Sequence, residues 1–118
     1  MAFGDDLFGV SGKALALRSQ RLGLLASNIA NAATPGYKAK DIDFAQALNS
    51  AEQPGNTIGG AISGATKFRV PTQPSMDGNT VELNTEQTAF AENAVAYQTT
   101  LSFLNGRIST ITRALRGE

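Results

Sequence analysis

The chain has 118 residues, with ten Lys and Arg against ten Asp and Glu, and it contains neither Cys nor His. Its length suits one modest domain, and its formal charge of zero argues against a nucleic-acid binder or a polybasic membrane-surface protein. The absence of Cys and His excludes thiol catalysis, a His general base, a Cys/His zinc site and a disulfide framework.

Residues 5–33 have the hydrophobic periodicity of an amphipathic helix. Their apolar residues form two adjacent stripes, so the apolar face is wider than a two-stranded seam. Asp5 and Asp6 suit a helix start, by capping and by their charge against the macrodipole, and the run 34–36 (Thr-Pro-Gly) predicts the helix end. The first stripe consists of Leu7, Val10, Ala14, Leu17 and Leu24, and the second consists of Leu15, Leu22, Leu25 and Ile29.

The middle zone, residues 36–83, is rich in turn-forming residues. Four glycines and a proline in residues 53–64 predict a flexible loop. These glycines do not match a phosphate-binding loop, because no Lys-Ser/Thr pair follows them. Residues 66–70 and 80–83 alternate polar and apolar side chains and predict short strands, with a turn at residues 77–79. The apolar residues of this zone are too few for a separate stable core.

Residues 85–116 have the clearest pattern, an unbroken heptad seam typical of a coiled coil or a helical bundle. Asn84 and Gln87 have the spacing of a capping box at the helix start. Arg113 and Arg116 suit the last turn, where cations favour the helix dipole. The seam consists of Phe90, Ala94, Tyr97, Leu101, Leu104, Ile108, Ile111 and Leu115.

Together these patterns predict a mainly α fold, in which long N- and C-terminal helices pack as an antiparallel coiled-coil hairpin. The Gly/Pro-rich middle carries little or short β structure. The predicted divisions are residues 1–36 (N-terminal helix and motif), 37–83 (turn-rich linker) and 84–118 (heptad helix). A single helix pair buries one seam and leaves the second stripe of the first helix exposed, so we expect one domain that assembly with partners completes.

The segment at the end of the first helix has a pattern that packing alone does not explain. Asn28 and Asn31 are poor helix formers, yet their spacing places them on one face of the helix. Pro35 and Gly36 fit the two central positions of a type II turn, where Gly supplies the positive φ. A purely structural interpretation, a helix end followed by a chain reversal, explains the Pro and the Gly but not both Asn residues.

Residues 26–31 (ASNIAN), followed by residues 34–37 (TPGY), resemble the N-terminal signature of the bacterial flagellar axial proteins, which are rod, hook and hook-associated subunits. Residues 37–44 (YKAKDIDF) resemble the continuation of this signature in the small proximal rod proteins. Residues 77–83 (DGNTVEL), followed by Glu86, Asn93 and Tyr97, resemble the C-terminal motif of one of the two sister proximal rod subunits. The resemblance covers both ends of the chain and is specific because the two motifs occur together.

This resemblance implies a structural subunit of the proximal rod in the flagellar basal body. It implies a periplasmic location, reached through the flagellum-specific export apparatus without a cleaved signal peptide. The acidic start of the chain fits that route, and no stretch approaches the roughly 18 apolar residues needed to span a membrane. The implied partners are copies of itself, other rod subunits, the hook-basal-body adaptor protein, the membrane-ring protein and the export gate. The terminal helices would form the inner layer of a helical tube that transmits torque and surrounds the export channel.

The expected site is therefore a set of packing and assembly residues, with no catalytic, cofactor-binding or metal-ligating residues and no small-molecule substrate. These residues come from both stripes of the first helix, from the Asn and turn motif, and from the heptad seam. They are Leu7, Val10, Leu15, Leu17, Leu22, Leu25, Asn28, Ile29, Asn31, Pro35, Gly36, Tyr37, Phe90, Tyr97, Leu101, Leu104, Ile108, Ile111 and Leu115.

Three other interpretations are weaker. An enzyme would need paired carboxylates, and Asp41 with Asp43 is the one tempting pair, although a solvated strand or loop edge explains it better. A free-standing helical adaptor that clamps a partner helix is equally compatible with the heptads. An amphipathic membrane binder would need more cations on the polar face than Lys13, Arg18 and Arg21 provide.

Overall fold

A computed structural model describes the backbone of residues 3–117 and the side chains of residues 9–117. The described chain is mainly helical, as predicted, and measures 64 × 29 × 18 Å. Its two long helices lie at the two ends of the sequence and pack against each other, with the shorter elements beside the first of them. In chain order the elements are α1 (Phe3–Ala30), β1 (Lys40–Ile42), α2 (Phe44–Glu52), α3 (Ile58–Ala65), β2 (Thr66–Phe68) and α4 (Leu83–Arg116).

Helix α1 confirms the first predicted helix but ends at Ala30, three residues before the predicted end. The backbone turns at Asn31, whose N–H is shared between the carbonyls of Ser27 (3.1 Å) and Asn28 (3.2 Å). Such shared bonds are common where a helix ends. Asp5 and Asp6 lie within α1, but their side chains lie outside the described residues, so the predicted roles at the helix start stay predictions.

Helix α4 confirms the heptad helix and begins two residues earlier than predicted. The capping box of Asn84 and Gln87 is wrong, because the N-cap residue is Glu82 and it makes no side-chain capping bond. The Glu82 carboxylate accepts hydrogen bonds from the Thr72 hydroxyl and from the Thr72 N–H (3.2 Å) instead. These bonds from Thr72 lower the pKa of Glu82. The preceding loop thus holds the start of α4.

The predicted flexible loop over residues 53–64 is wrong over its second half, since residues 58–65 form α3. The Thr57 hydroxyl caps α3 by accepting a bond from the Gly60 N–H at 3.0 Å. All four buried residues of α2 and α3 are alanines, and their small side chains let the two helices approach closely. These residues are Ala47, Ala51, Ala61 and Ala65. Burial of this alanine face outweighs the poor helix propensity of the glycines.

The two strands form an antiparallel pair in which Lys40 lies opposite Phe68 and Ile42 lies opposite Thr66. This confirms a strand within residues 66–70, but the strand predicted over residues 80–83 is wrong. The backbone there joins the motif segment instead: the Thr80 N–H donates to the Tyr37 carbonyl at 2.9 Å.

The middle zone has no core of its own and shares one with α1. Leu17 of α1 is fully buried and clusters with Ile42, Ala47 and Ala65. Leu24, one heptad further along α1, packs against the same cluster, as do Phe44, Leu48 and Ile62. Leu17 and Leu24 both belong to the first stripe, which the hairpin prediction packs against the C-terminal helix; the structure packs this part of the stripe against the middle zone instead.

Candidate functional site

The two sequence motifs, which are far apart along the chain, meet in the structure just after the end of α1. The side chain of Asn79 is buried and donates to three backbone carbonyls of the turn that follows α1: Asn31 (3.0 Å), Ala32 (3.1 Å) and Thr34 (2.7 Å). The Gly36 N–H donates to the Asp77 carbonyl at 2.9 Å. The C-terminal motif therefore binds the turn that directly follows α1.

Asn28 is fully buried, and all of its side-chain hydrogen-bonding capacity is used. Its Nδ2 donates to the Lys40 carbonyl at 2.7 Å and to Glu86 Oε2 at 3.0 Å. Its Oδ1 accepts from the Tyr37 hydroxyl and from the Lys40 N–H, both at 3.2 Å. One side chain thus connects α1, the motif loop, β1 and α4, which explains why an Asn stands where helix propensity disfavours it.

Four charged side chains continue this network. Asp41 accepts two bonds from Arg21, at 2.8 Å to Nε and 3.0 Å to Nη2, and a third from Arg69 Nη2 at 2.9 Å. Arg69 Nε donates to Glu86 Oε1 at 2.5 Å. Glu86 is fully buried, and its other oxygen accepts from Asn28. Two guanidinium groups and two carboxylates leave the cluster formally neutral, as the burial of charge requires.

The pKa shifts in this network follow from its hydrogen bonds and its burial. The bond to Asp41 raises the pKa of Arg21. Burial opposes ionisation of Asp41, but the bond and charge of Arg21 outweigh it and lower the pKa of Asp41. Burial likewise opposes the charge of Arg69, but the hydrogen bonds and charges of Glu86 and Asp41 together outweigh it and raise the pKa of Arg69. Each of these three groups is thereby held in its charged form.

The remaining motif residues form the turn that the sequence predicts. Asn31 anchors it, with Nδ2 donating to the Ser27 carbonyl (2.8 Å) and Oδ1 accepting from the Thr34 hydroxyl (3.0 Å). Gly36 has φ of 75°, the positive value that the position after Pro35 requires, and the Tyr37 N–H closes the turn on the Thr34 carbonyl at 3.2 Å. Asn28 and Asn31 therefore have different tasks, one inside the cluster and one at the turn.

The predicted apolar residues of α1 are divided by the structure. Leu17 and Leu25 are fully buried, whereas Val10 is 57% exposed. The side chain of Leu7 lies outside the described residues. Leu15, Leu22 and Ile29 of the second stripe are half-buried.

The heptad seam of α4 becomes more exposed toward its C-terminal end. Phe90, Tyr97, Leu101, Leu104 and Ile111 are half-buried. By contrast, Ile108 is 47% exposed and Leu115 is 84% exposed. The seam therefore leaves apolar surface uncovered in this single chain.

The two carboxylates on which the enzyme interpretation depended, Asp41 and Asp43, have separate structural roles. Asp41 is committed to the two guanidinium groups, while Asp43 caps α2 by accepting from the Gln46 N–H at 3.1 Å. Among residues 9–117, whose side chains the structure describes, no group of three or more His, Cys, Asp or Glu comes together that could hold a metal ion. No described helix is long and apolar enough to cross a membrane.

Sequence reasoning missed Arg21, Arg69 and Asn79 as site residues. One sequence feature could have identified Arg69. It lies between Phe68 and Val70 in a segment with strand alternation, so its side chain is expected on the opposite face from theirs. Arg21 was weighed only as a candidate for membrane contact. Asn79 lies in the recognised C-terminal motif, but no spacing rule links it to a turn residue, Thr34, that lies 45 positions earlier.

Comparison with known sequences supports the resemblance that the two motifs suggest. A family model for flagella basal body rod proteins matches residues 8–38, which include the Asn and turn motif. The chain is 49% identical to the flagellar basal body rod protein FlgB of Cereibacter sphaeroides over 123 residues, covering 96% of each chain. The chain belongs to the FlgB family. Among further FlgB relatives, it is 42% identical to that of Aeromonas hydrophila (97% of this chain, 96% of the relative) and 40% identical to that of Escherichia coli K12 (88% of each).

Residues 77–83 thus match the C-terminal motif of FlgB. The family assignment covers nearly the whole chain rather than its two ends alone. The relatives are named as rod proteins, and no catalytic function is indicated for them. The buried cluster therefore fixes the junction of α1, β1 and α4 in a protein whose function is structural.

Proposed function

We propose that this chain is a proximal rod subunit that assembles through its terminal helices. As a member of the FlgB family, it is a structural subunit of the flagellar basal-body rod. The observation that carries the finer proposal is the contrast within α4, whose N-terminal third is fixed in the buried cluster while Ile108 and Leu115 stay exposed. Exposed apolar residues at heptad spacing are suited to contacts with further helices.

We infer that α1 and α4 form an antiparallel coiled-coil hairpin. Two hydrogen bonds support this arrangement: Asn28 of α1 donates to Glu86 of α4, and Asn93 of α4 donates to the Arg18 carbonyl of α1 at 2.8 Å. Moving back by ten residues along α1 thus corresponds to moving forward by seven along α4. The helices therefore run in opposite directions between these contacts, and the seven-residue spacing of the seam is that of a coiled coil.

In the assembled rod, α4 residues Leu101, Leu104, Ile108, Ile111 and Leu115 would contact neighbouring subunits. On α1, Val10 and the half-buried second stripe of Leu15, Leu22 and Ile29 would do the same. A contact between two different surfaces that does not close on itself produces a helical array, which is the geometry of a tube. Such a tube would transmit torque and surround the export channel.

The partners and the location follow from the same proposal. Copies of the chain and other rod subunits would cover the exposed helix faces, and the hook-basal-body adaptor protein, the membrane-ring protein and the export gate would lie at the ends of the rod. The subunit would reach the periplasm without a cleaved signal peptide. The zero net charge supports close packing of many copies, because it limits mutual repulsion.

The test is deletion of the gene, followed by electron microscopy of purified basal bodies. We expect cells without filaments and basal bodies without a complete rod, and restoration of both by the unchanged gene in trans. Normal filaments in the deletion strain would contradict the proposal. A free-standing helical adaptor, the alternative, would leave the rod intact and co-purify as a small discrete complex.

A further inference from the structure

The sheet of two strands has one free edge, and it belongs to β2. On β1, the Lys40 N–H and carbonyl both bond to the side chain of Asn28, so they point away from β2. In an antiparallel pair, the residue opposite such a position also points its backbone groups outward. Phe68 is the residue opposite Lys40. Its N–H and carbonyl therefore face the outer edge of the sheet.

The same orientation continues to Val70. The Arg69 N–H donates to the Ala39 carbonyl at 2.8 Å, so the backbone of Arg69 points toward β1. Because inward and outward residues alternate along a strand, the backbone of Val70 points outward, like that of Phe68. Within the described residues, no hydrogen bond pairs the outward groups of Phe68 or Val70. Their side chains are 65% and 85% exposed. This edge thus offers backbone donors and acceptors beside exposed apolar side chains, which is a template for an added strand.

A pocket of about 360 Å³ adjoins this edge. Lys40, Thr66 and Phe68 line the pocket and point to the same side of the sheet, which places the pocket on that face beside the β2 edge. Its remaining lining comes from α3 and from Lys67. The lining residues are Lys40, Ile62, Ser63, Thr66, Lys67 and Phe68.

Both sides of this edge carry a positive charge. The Lys40 ammonium lies 5.3 Å from the centre of the Phe68 ring, and the Lys67 ammonium donates to Gln46 Oε1 at 2.7 Å. Neither ammonium forms an ion pair with a carboxylate among residues 9–117, and Asp41 is already bound by two guanidinium groups. An ammonium has three donors, so both lysines keep capacity for a further acceptor. A carboxylate side chain is the complementary group.

We propose that the β2 edge binds an extended acidic segment of another protein chain. The segment adds a third strand by pairing with the backbone of Phe68 and Val70. One of its Asp or Glu side chains enters the pocket beside Lys40, and Lys67 adds positive charge from the other side of β2. In this mode of recognition, the main-chain bonds supply affinity and the pocket supplies specificity. The surface is separate from the helix faces that the rod proposal uses.

The test uses fluorescence anisotropy of the whole chain with three labelled nine-residue peptides. One alternates Val and Glu, the second alternates Val and Lys, and the third repeats the Val/Glu sequence with alternate residues N-methylated to remove the donors of one edge. We expect saturable binding of the first peptide and at least about tenfold weaker binding of the other two. No saturable binding of the Val/Glu peptide, or equal binding by the Val/Lys or the N-methylated peptide, would overturn the proposal.

Two double variants separate the pocket from general charge. Lys40→Gln with Lys67→Gln should weaken Val/Glu binding by about tenfold or more. Arg107→Gln with Arg113→Gln removes the same charge from exposed positions of α4 and should leave binding within about twofold. Equal effects of the two double variants would overturn the role of the pocket.

Val70→Pro tests the edge itself, because it removes one outward N–H that no described residue uses. We expect it to abolish binding of the Val/Glu peptide while the far-ultraviolet circular dichroism stays that of the unchanged chain. Unaltered binding would overturn the strand-addition geometry, and so would a loss of helical signal that accompanies the loss of binding. The alternative occupant of the edge is a second copy of the chain, which sedimentation of the chain alone tests. A dimer that Val70→Pro dissociates would show that a second copy, and not an acidic segment, occupies the edge.

Discussion

Replacing Asn28 with Asp tests the central link of the buried cluster with a change of one atom type. The substitution puts an oxygen where Nδ2 now donates to the Lys40 carbonyl (2.7 Å) and to Glu86 Oε2 (3.0 Å). Both partners lose a donor, and each buried acceptor left unsatisfied costs about 1–3 kcal/mol. We expect the free energy of unfolding at pH 7 to fall by about 3 kcal/mol. At about 4 °C per kcal/mol for a chain of this size, Tm falls by about 12 °C.

The same variant has a predicted pH dependence. Two carboxylates whose oxygens lie about 3 Å apart in a buried site do not both stay ionised, so the pKa of the introduced carboxyl is raised above its unfolded value of about 3.9. The folded state then binds more protons than the unfolded state between these two values. The destabilisation is therefore greatest above the raised pKa and shrinks as the pH falls through it toward about 4.

Urea denaturation followed by circular dichroism at pH 7 and at pH 4.5 measures both effects. The matched control is Asn49→Asp, the same change at an exposed residue of α2, for which we expect a shift within about 0.5 kcal/mol. If Asn28→Asp were no less stable than Asn49→Asp at pH 7, or if its deficit did not depend on pH, the role assigned to Asn28 would be refuted.

Three further changes test other parts of the structure by the same denaturation assay. Asn79→Ala removes three bonds to the carbonyls of the turn that follows α1 and should cost about 2 kcal/mol; a cost below about 0.5 kcal/mol would contradict the role of Asn79 in holding this turn. Gly36→Ala, at φ of 75°, should cost about 1 kcal/mol, whereas Gly59→Ala inside α3 meets no atom within 4 Å and should stabilise by about 0.5 kcal/mol; the same sign for both would refute the backbone argument. The pKa of Asp41 is lowered in the fold, so its contribution is complete above about pH 4 and is lost as the pH falls through the lowered value. Asp41→Asn should therefore lessen the decline in stability below about pH 4, and an unchanged decline would exclude Asp41 as its source.

The long helices were predictable because their periodicity is local information. The seam from Phe90 to Leu115 marks α4, and Pro35 with Gly36 marks the turn after α1. The elements that were predicted wrongly depend on tertiary contacts. Helix α3 forms in a glycine-rich stretch because Ala61 and Ala65 become buried, and no local rule anticipates that burial.

The sequence indicated where the candidate site lies, but it did not reveal which side chains bond to each other there. The motif identified Asn28, and the resemblance noted Glu86, but nothing in their separation of 58 residues shows that they share a hydrogen bond. Arg69 lies in a segment for which no motif was recognised, and its partners are contributed by β1 and α4. Long-range pairing of this kind depends on topology, which spacing along the chain does not reveal.

The most direct test of the account is the double variant Ile108→Lys with Leu115→Lys, examined both as a purified chain and in cells. Both side chains are exposed in the single chain, so we expect Tm to stay within about 2 °C of the unchanged protein. In a strain with no other copy of the gene, we expect no complete rods by electron microscopy and no motility, because charges replace the apolar contacts between subunits. The matched control Ser109→Lys, at an exposed position off the seam of the same helix, should retain motility. A motile strain with normal rods carrying the Ile108→Lys and Leu115→Lys variant would contradict the account.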